Sequence, residues 1–309
     1  MRNTFIDTLF DIAKRDKNVI LMTGDLGFGV LTKFWETYPK QFINAGISEQ
    51  NMTAMAAGMA FEGKTVFTYS IGNFPTLRCL EQIRNDVAYH RANVKIVAVG
   101  GGFAYGALGM SHHATEDIAI MRSLPELTVF TPCDPYETAA VTELAAQMDG
   151  PCYIRLGKGG EKHLHAFPVN VIIGKALPLR EGNDTAILVA GAIAEEALEA
   201  AEILYEQGIS CAVYSFPTVK PIDSETIREL AMKVDCIYTL EEHNIVGGFG
   251  SAVAEVMAEQ PTKAILNRIG LNDEFSSIVG SQKYLRKQYG MNADIIVGKI
   301  NKQYKGDMK

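Results

Sequence analysis

The 309-residue sequence has no long basic stretch and no long apolar stretch. Lys and Arg never stand together in more than pairs, and the formal net charge is −7 at pH 7 with a pI near 5.5. A chain of this charge offers no extended basic surface to nucleic acid or to anionic lipid. Its apolar runs are also shorter than the roughly 20 residues that cross a bilayer as a helix. We therefore expect no nucleic acid and no membrane among its partners.

Cysteine is scarce and scattered. The five cysteines lie far apart among apolar residues and form no C-x-x-C pair: Cys79, Cys133, Cys152, Cys211 and Cys236. This pattern is typical of a reducing compartment, and we expect no metal site on this chain. Near the N-terminus, apolar residues recur among acidic ones, at Phe5, Ile6, Leu9, Phe10 and Ile12. The repeat predicts an amphipathic helix rather than a signal peptide, so we expect a cytoplasmic location.

The length and the apolar pattern predict two domains. With 309 residues and 47% hydrophobic content, the chain exceeds the size at which a single core keeps growing. Short apolar runs alternate with helical patterns, which indicates mostly parallel sheets with helices on both faces. We predict an α/β protein with two doubly wound domains, at residues 1–165 and 183–309, joined by a linker at 166–182.

Four loops that follow predicted strands are the best candidates for a site, because ligands gather at the carboxyl ends of parallel strands. Residues 23–29 resemble a dinucleotide-binding turn but lack its glycine spacing, so they form only a weak nucleotide signal. Residues 70–78 place Phe74 among Gly, Asn and Pro. Such an aromatic could form a slot for a flat ring, although packing in the core is the commoner role.

The other two loops contain imidazole and ammonium groups. Residues 100–113 are rich in glycine, which lets a backbone approach a ligand closely, and they end at His112 and His113. Adjacent histidines on a loop point in different directions, so a shared metal ion is not expected, and both could simply be solvated. Lys158 follows the strand predicted at residues 152–155. It could hold an anionic group or be no more than a solvated side chain.

Glu49 is the acidic residue with the most unusual predicted surroundings. Ser48 is a plausible helix N-cap, and the residues after Asn51 are small or apolar, which predicts a helix that other elements approach closely. A carboxylate on the first turn of such a helix has little water around it and can share a proton with a ligand nitrogen. The alternative is that Glu49 only complements the helix dipole.

An ordered set of motifs gives these residues a common context. The first half contains Gly46-Ile-Ser-Glu-Gln50, Glu81-Gln-Ile-Arg84, Gly109-x-x-His112, Arg122-Ser-Leu-Pro125 and Thr131-Pro-x-Asp134. The second half contains Tyr238-Thr-Leu-Glu-Glu-His243 and Gly247-Gly-Phe-Gly-Ser251. The first set resembles the pyrimidine-binding domain of transketolase-type, thiamine-diphosphate-dependent enzymes. The second is similar to the C-terminal domain of the same family, so the resemblance covers nearly the whole chain.

The resemblance implies thiamine diphosphate as cofactor and assigns residues to it. Glu49 matches the glutamate that hydrogen-bonds the pyrimidine ring nitrogen and favours the imino form, whose neighbouring nitrogen takes the proton from the thiazolium carbon. Phe74 falls nearest the aromatic that stacks on the pyrimidine, with Tyr69 contributing to the same slot and Ile47 lining it. His112 matches the histidine that faces the substrate carbonyl. Glu49 and His112 are thus the predicted catalytic residues.

The resemblance also implies substrate contacts, with departures from the family pattern. The implied contacts are His112, His113, Lys33, Lys158, Asp25 and Leu108. Where the family has an Asp that reads a substrate hydroxyl, this chain has Leu108, which accepts no hydrogen bond. Where the family grips a sugar phosphate with arginines and a histidine, it has Lys33, Lys158 and Gly100, and lysine lacks the bidentate fork of arginine. We therefore expect an unusual ketose, such as a deoxygenated or carrier-linked one.

One family motif is missing altogether. Gly-Asp-Gly, which with a downstream Asn holds the diphosphate and its Mg²⁺ or Ca²⁺ in this family, occurs nowhere in the sequence. We expect a partner subunit that carries it, in an α2β2 heterotetramer. The predicted function is the small subunit of a transketolase that moves a two-carbon ketol unit from a ketose to an aldose.

Two alternatives stay open at this point. The β subunit of a 2-oxoacid dehydrogenase or decarboxylase shares the glutamate and both domains, but the loop ending at His112 and the Arg122-Ser-Leu-Pro125 motif favour a transketolase. A non-catalytic subunit with the same fold is the other alternative, and the retained Glu49 argues against it.

Overall fold

The computed structural model describes residues 1–306, in which helices and strands alternate. The helices are α1 (Arg2–Arg15), α2 (Thr32–Thr37), α3 (Glu49–Phe61), α4 (Leu80–Gln82), α5 (Asp117–Ser123), α6 (Pro135–Gln147), α7 (Ala194–Glu206), α8 (Ser224–Lys233), α9 (Phe249–Ala258), α10 (Gln282–Gln288) and α11 (Ala293–Gly306). The strands are β1 (Val19–Thr23), β2 (Phe42–Asn44), β3 (Thr65–Ile71), β4 (Val94–Val99), β5 (Thr128–Phe130), β6 (Cys152–Leu156), β7 (Leu177–Arg180), β8 (Thr185–Ala190), β9 (Cys211–Ser215), β10 (Thr218–Lys220), β11 (Cys236–Asn244) and β12 (Ile265–Leu271). Short 3₁₀ turns cover Leu77–Cys79, Gly106–Leu108 and Met110–His112, and a π-helical turn covers Ile83–Ala88.

The first sheet has seven strands in the order β10-β5-β6-β4-β3-β1-β2, and only β10 runs antiparallel to its neighbour. Every residue of β1, β4 and β6 is buried, as expected for strands covered on both faces by helices. Because β1, β3, β4 and β6 are parallel, their carboxyl ends meet at one edge of the sheet. The loops singled out in the sequence leave the sheet at this edge.

The second sheet has five strands in the order β12-β11-β8-β9-β7, parallel except for β7. The prediction of two doubly wound, mostly parallel α/β sheets is confirmed. One apolar cluster is continuous between the two sheets and includes Val66, Ile96, Leu188 and Ile237. The two halves of the chain are therefore packed on a shared core. None of the described helices is both long enough and apolar enough to cross a membrane.

Two strands differ from the sequence-based expectation. β7 lies inside the predicted linker, and β10 comes from the second half of the chain but pairs with β5 of the first sheet. Both are short edge strands next to prolines: Pro178 is within β7, and Pro217 and Pro221 flank β10. Proline is tolerated at a sheet edge, where its missing N–H breaks no ladder, so the sequence of these segments is typical of connectors.

Candidate functional site

The carboxylate of Glu49 is buried at the start of α3. Ser48 occupies the N-cap position, but its hydroxyl donates to the carbonyl of Ala45 at 2.8 Å rather than capping the helix. Glu49 is only 2% exposed, and a side chain at Gly24 would lie 3.3 Å from its Cγ. The carboxylate is thus held between the loop after β1 and the first turn of α3.

Arg78 is the one described residue that donates a hydrogen bond to the Glu49 carboxylate. Its Nη1 lies 2.8 Å from Oε2 of Glu49, and its guanidinium carbon lies 4.7 Å from the centroid of the Phe74 ring. The other carboxylate oxygen, Oε1, accepts no hydrogen bond from the part of the chain that the structure describes. One face of this group is therefore available to a ligand. The sequence patterns assigned no role to Arg78, although the residue belongs to the aromatic loop at residues 70–78.

His112 continues the same set of contacts. Its ring lies edge-on to Phe74 with the centroids 5.3 Å apart, and Ser111 Oγ lies 3.0 Å from its Nδ1. The centroid of the Tyr105 ring is 6.5 Å from that of His112. The half-buried imidazole thus lies near two aromatic rings at the sheet edge and is linked to Glu49 through Phe74 and Arg78.

Two cations complete the set at Tyr105. Lys158 Nζ lies 5.0 Å above the Tyr105 ring, and Nη2 of Arg2 lies 3.9 Å from the position that a Gly159 side chain would take. Burial raises the pKa of Tyr105, and the nearby positive charge of Arg2 opposes that rise. The Met1 ammonium, which donates to Glu161 at 2.8 Å, fixes the chain end beside this loop. Sequence analysis missed Arg2, because nothing local links residue 2 to residue 158.

We call this series the contact row. Its members, in spatial order, are Glu49, Arg78, Phe74, His112, Tyr105, Lys158 and Arg2. It combines a buried carboxylate, two aromatic rings, an imidazole and three cations, two of which, Lys158 and Arg2, lie at the end far from Glu49. Such a row can share a proton with a flat heterocycle at one end and hold an anionic group at the other.

Two predicted site residues contact aromatic rings of α1. Tyr69 is a core residue that stacks on Phe5 of α1 at 6.1 Å, and its burial raises the pKa of its hydroxyl above the usual range. Strand alternation directs its side chain to the α1 face of β3, where Arg2 and Tyr105 are close enough to influence its pKa. Lys33 is exposed on α2 and lies 4.3 Å above the Phe10 ring, which directs it toward α1 instead of the row.

His113 also lies outside the contact row. It is buried, and its Nε2 lies 3.1 Å from the carbonyl of Gly106. Its ring packs edge-on to Phe103 at 5.4 Å, while its own carbonyl accepts a bond from Asn73. His113 therefore stabilises the loop from its buried side, whereas His112 belongs to the contact row. The expectation that His113 contacts substrate is corrected for that reason.

The remaining predicted residues lie at the surface. Ile47 is 79% exposed, and Leu108 is exposed on the 3₁₀ turn Gly106–Leu108. Asp25 is exposed too, and it exchanges two hydrogen bonds with the Asn44 side chain, at 2.9 and 3.0 Å. None of the three side chains forms a hydrogen bond, an ion pair or a ring contact with the described members of the contact row, although all three residues follow carboxyl ends of strands in the first sheet.

Much of the surface in the first half of the chain is apolar. A cavity of about 330 Å³ opens beside the loop after β1, lined mainly by Leu26, Phe28, Leu31, Trp35 and Phe42. Phe28 and Trp35 are exposed there, as are Met55 and Phe61 on α3. From Met52 on, α3 has small or apolar residues on all sides, and such a helix normally has another element covering each face.

Several glycines of the loop at residues 100–109 lie against other parts of the protein. A side chain at Gly101 would meet Arg155, one at Gly102 would meet Glu242, and one at Gly106 would meet Leu285. Glu242 and Leu285 belong to the second half of the chain. These glycines therefore let the loop backbone approach β6 of the first sheet and β11 and α10 of the second half of the chain closely.

Among residues 1–303, whose side chains are described, one group of Cys, His and carboxylate side chains is compact enough to share an ion, namely Cys133, Glu137 and His165. Both oxygens of Glu137 are already engaged, one by the Cys133 N–H at 2.8 Å and one by the His165 ring at 2.9 Å. The group stabilises the start of α6 and lies outside the contact row.

Two family models match the chain, one for each half. A model described as "Transketolase, pyrimidine binding domain" matches residues 1–160, and one described as "Transketolase, C-terminal domain" matches residues 174–296. These limits correspond closely to the two sheets.

Two relatives and one solved structure resemble the chain over nearly its full length. A putative transketolase C-terminal section of Methanocaldococcus jannaschii is 40% identical, covering 99% of this chain and 96% of the relative. One of the subunits of an apulose-4-phosphate transketolase, from Phocaeicola vulgatus, is 36% identical, covering 95% of this chain and 94% of the relative. A solved structure described as a split gene transketolase, inactive β4 tetramer, superposes with a TM-score of 0.89 at 36% identity, with 97% of both chains covered.

Proposed function

The chain belongs to the transketolase family, and we propose that it is the pyrimidine-holding subunit of a two-chain, thiamine-diphosphate-dependent transketolase. The reaction would move a two-carbon ketol unit from a ketose to an aldose. The observation that carries the proposal is the contact row, in which the open oxygen of Glu49, the ring of Phe74 and the imidazole of His112 occur together.

The residues present fit the aminopyrimidine half of the cofactor. Phe74 offers a ring face for stacking, and Glu49 offers a buried carboxylate oxygen without a partner among the described residues. When bound, the cofactor supplies a carbon acid whose conjugate base attacks the donor carbonyl. Glu49 would hold a proton at the pyrimidine ring nitrogen, and its burial limits exchange of that proton with water. Ile47, exposed just before α3, would line the same ring.

His112 would act on the sugar. Its imidazole lies at the rim of the same aromatic face, so it could stabilise charge that develops on the substrate carbonyl oxygen and move a proton to or from it. Its Nδ1 lies beside Ser111 Oγ, which helps to fix the orientation of the ring. Glu49 and His112 are the two proposed catalytic residues.

Arg2 and Lys158 would bind the far, anionic end of the sugar. Together they form a compact positive end to the contact row, and Arg2 supplies the planar donor fork that Lys158 lacks. Leu108 and Asp25 would border the substrate from exposed loops, and Leu108 cannot accept a hydrogen bond from a substrate hydroxyl. A relative named for apulose-4-phosphate acts on an unusual sugar phosphate, which supports the same expectation for this chain.

The missing part of the site would come from a partner subunit. The sequence has no Gly-Asp-Gly, so the diphosphate and a Mg²⁺ or Ca²⁺ ion would be held by a second chain that contains it. The exposed apolar side chains of α3 and of the loop after β1 would lie against that chain, because burial of such a surface drives association. We propose an α2β2 heterotetramer in which residues 1–165 contact the partner. Residues 183–309, together with β7, would form the second domain.

Reconstitution tests the proposal. The chain is co-expressed with a Gly-Asp-Gly subunit, and the complex is assayed for thiamine diphosphate binding and for ketol transfer from a panel of phosphorylated ketoses. We expect a heterotetramer that is active only when both subunits are present. Full activity of this chain alone would overturn the two-chain proposal, and transfer of an acyl group from pyruvate to a lipoyl carrier would favour a 2-oxoacid dehydrogenase instead.

A further inference from the structure

Glu242, at the end of β11 in the second sheet, reaches into the loop that carries both histidines. Its Oε1 accepts a hydrogen bond of 2.5 Å from the backbone N–H of Phe103. The contact depends on Gly102, which has a φ of +61° and whose Cβ, if present, would lie 2.6 Å from the Cγ of Glu242. The loop and the second sheet thus meet at a distance that a side chain would prevent.

The carboxylate is fully paired on the second-sheet side. Nε2 of Gln282 lies 2.9 Å from Oε1 and 3.1 Å from Oε2, and Nε of Arg286 lies 2.6 Å from Oε2. Glu242 is only 3% exposed, so these charge-assisted bonds are shielded from water and from salt. Gln282 and Arg286 lie one turn apart on α10, which fixes the carboxylate rigidly before it contacts the loop.

The other end of the loop is held at the same place. Nη2 of Arg155 donates to the carbonyl of Ala114 at 2.8 Å and to the carbonyl of Glu242 at 2.9 Å. Gly102 and Ala114 also exchange backbone hydrogen bonds as an isolated bridge. The loop therefore leaves and returns at one point, and that point is set by Glu242.

The middle of the loop is held by the segment around α10. The N–H of Gly280 donates to the carbonyl of Gly106 at 3.2 Å, and a side chain at Gly106 would lie 2.5 Å from Leu285 Cδ1. The same Gly106 carbonyl lies 3.1 Å from Nε2 of His113. The segment between these anchors turns outward and presents His112 to Phe74.

We propose that Glu242 is a positioning residue for His112. It sets the loop at residues 100–114 so that the imidazole lies at the edge of the Phe74 ring, although among the described residues no second-sheet side chain enters the contact row. Only the expected effect on activity rests on the proposed function; the expected effect on the loop does not. It also explains why Glu242 is buried and charged, since an acceptor with two oxygens can join a backbone N–H to two side-chain donors.

The test compares Glu242→Gln with a matched buried carboxylate. Glu242→Gln leaves a single acceptor oxygen, which cannot accept from the Phe103 N–H and from Arg286 at once, so the link between the loop and α10 is broken. Asp223→Asn is the control, because Asp223 is buried in the second half of the chain and caps α8 without touching the loop. Both changes should lower stability, and only the first should release the loop.

The first measurement is amide hydrogen exchange of the wild-type chain and of both variants. We expect exchange at residues 100–114 to rise at least about tenfold in Glu242→Gln while β1 and β8 stay protected, and to be unchanged in Asp223→Asn.

The second measurement is the kinetics of the reconstituted complex. In Glu242→Gln, kcat should fall about tenfold or more while KM for the cofactor changes less than about twofold.

The outcomes separate the two claims. If wild-type complexes transfer no ketol unit, the proposed function fails, but the exchange result still tests the positioning role. Unchanged amide hydrogen exchange of the loop in Glu242→Gln would overturn the inference. A variant that is less stable than wild type but has the same kcat would overturn it too. If Glu242→Gln does not fold, Gln282→Ala removes one donor from the same carboxylate, and the same effects are expected at smaller size.

Discussion

Arg78 and Glu49 form an ion pair that uses one of the two carboxylate oxygens, at 2.8 Å. The guanidinium is planar, donates to the carboxylate and lies 4.7 Å above the Phe74 ring. We propose the same two groups, the Glu49 carboxylate and the Phe74 ring, as contacts of the aminopyrimidine of the cofactor. The arginine and the cofactor ring would therefore compete for the space beside Phe74.

Removal of that competitor gives the first prediction. Arg78→Ala should let the reconstituted complex bind thiamine diphosphate up to about fivefold more tightly, since a half-exposed ion pair contributes no more than about 1 kcal/mol. Isothermal titration calorimetry measures this directly. Arg84→Ala on the same helical segment serves as control and should leave affinity unchanged. Weaker binding in Arg78→Ala would show that the arginine holds the cofactor.

The second prediction concerns proton transfer at Glu49. Glu49→Gln keeps the volume of the side chain but removes the exchangeable proton, so kcat of the reconstituted complex should fall by at least about 100-fold. Thermal unfolding of the isolated chain should change little, because the pair with Arg78 is the side-chain bond that is lost. Glu81→Gln, at an exposed position, should keep full activity. A Glu49→Gln complex with normal kcat would favour a non-catalytic subunit.

The third prediction tests the cationic end of the contact row. Arg2→Ala and Lys158→Ala should each raise KM for a phosphorylated ketose about tenfold, the usual size of a lost charge-assisted bond, with little effect on kcat. A ketose without a phosphate should be affected much less. Lys33→Ala is the matched control, because that ammonium lies over Phe10 instead. If Lys33→Ala raised KM as much as Lys158→Ala does, the assignment of the phosphate to Arg2 and Lys158 would be wrong.

The fourth prediction concerns the pH dependence of stability. Glu241 is fully buried and accepts bonds from the N–H groups of Phe249 and Gly250, at 2.6 and 2.8 Å. Burial raises its pKa to about 7, whereas burial lowers the pKa of the neighbouring His243 to about 4. Between pH 4.5 and 7 the folded chain binds the Glu241 proton more tightly than the unfolded chain does, so stability falls as the pH rises. His243 has the opposite effect between pH 4 and 6.5.

Glu241→Gln removes only the first of these contributions. From about pH 5 to about pH 7.5, the free energy of unfolding should shift by about 2 kcal/mol in favour of the variant relative to wild type. Urea denaturation of both proteins at several pH values measures the shift. Because the shift is a difference between pH values, any pH-independent effect of the substitution on the free energy of unfolding cancels. A difference that stays flat across this range would mean that Glu241 is ionised in the native state.

Alternation and turn chemistry were enough to place Glu49, Phe74 and His112 after strands, at the edge where the carboxyl ends of parallel strands meet. Their predicted roles came from the resemblance to the transketolase-type enzymes. The same reasoning could not say which way a side chain points. Tyr69 and His113 were assigned to the site, but a neighbouring helix and a neighbouring loop bury them.

The sequence by itself determined the two α/β sheets, the edge where ligands gather and the buried acid at the start of α3, because these depend on short-range periodicity and on residue type. Only the tertiary structure decided that Arg78 pairs with Glu49, that Arg2 meets the loop of Lys158, and that Gly102 lies against Glu242. Such contacts join residues that are far apart in the chain, and no local preference encodes them. They arise when the two sheets pack on a common core, because that packing determines which surfaces face each other.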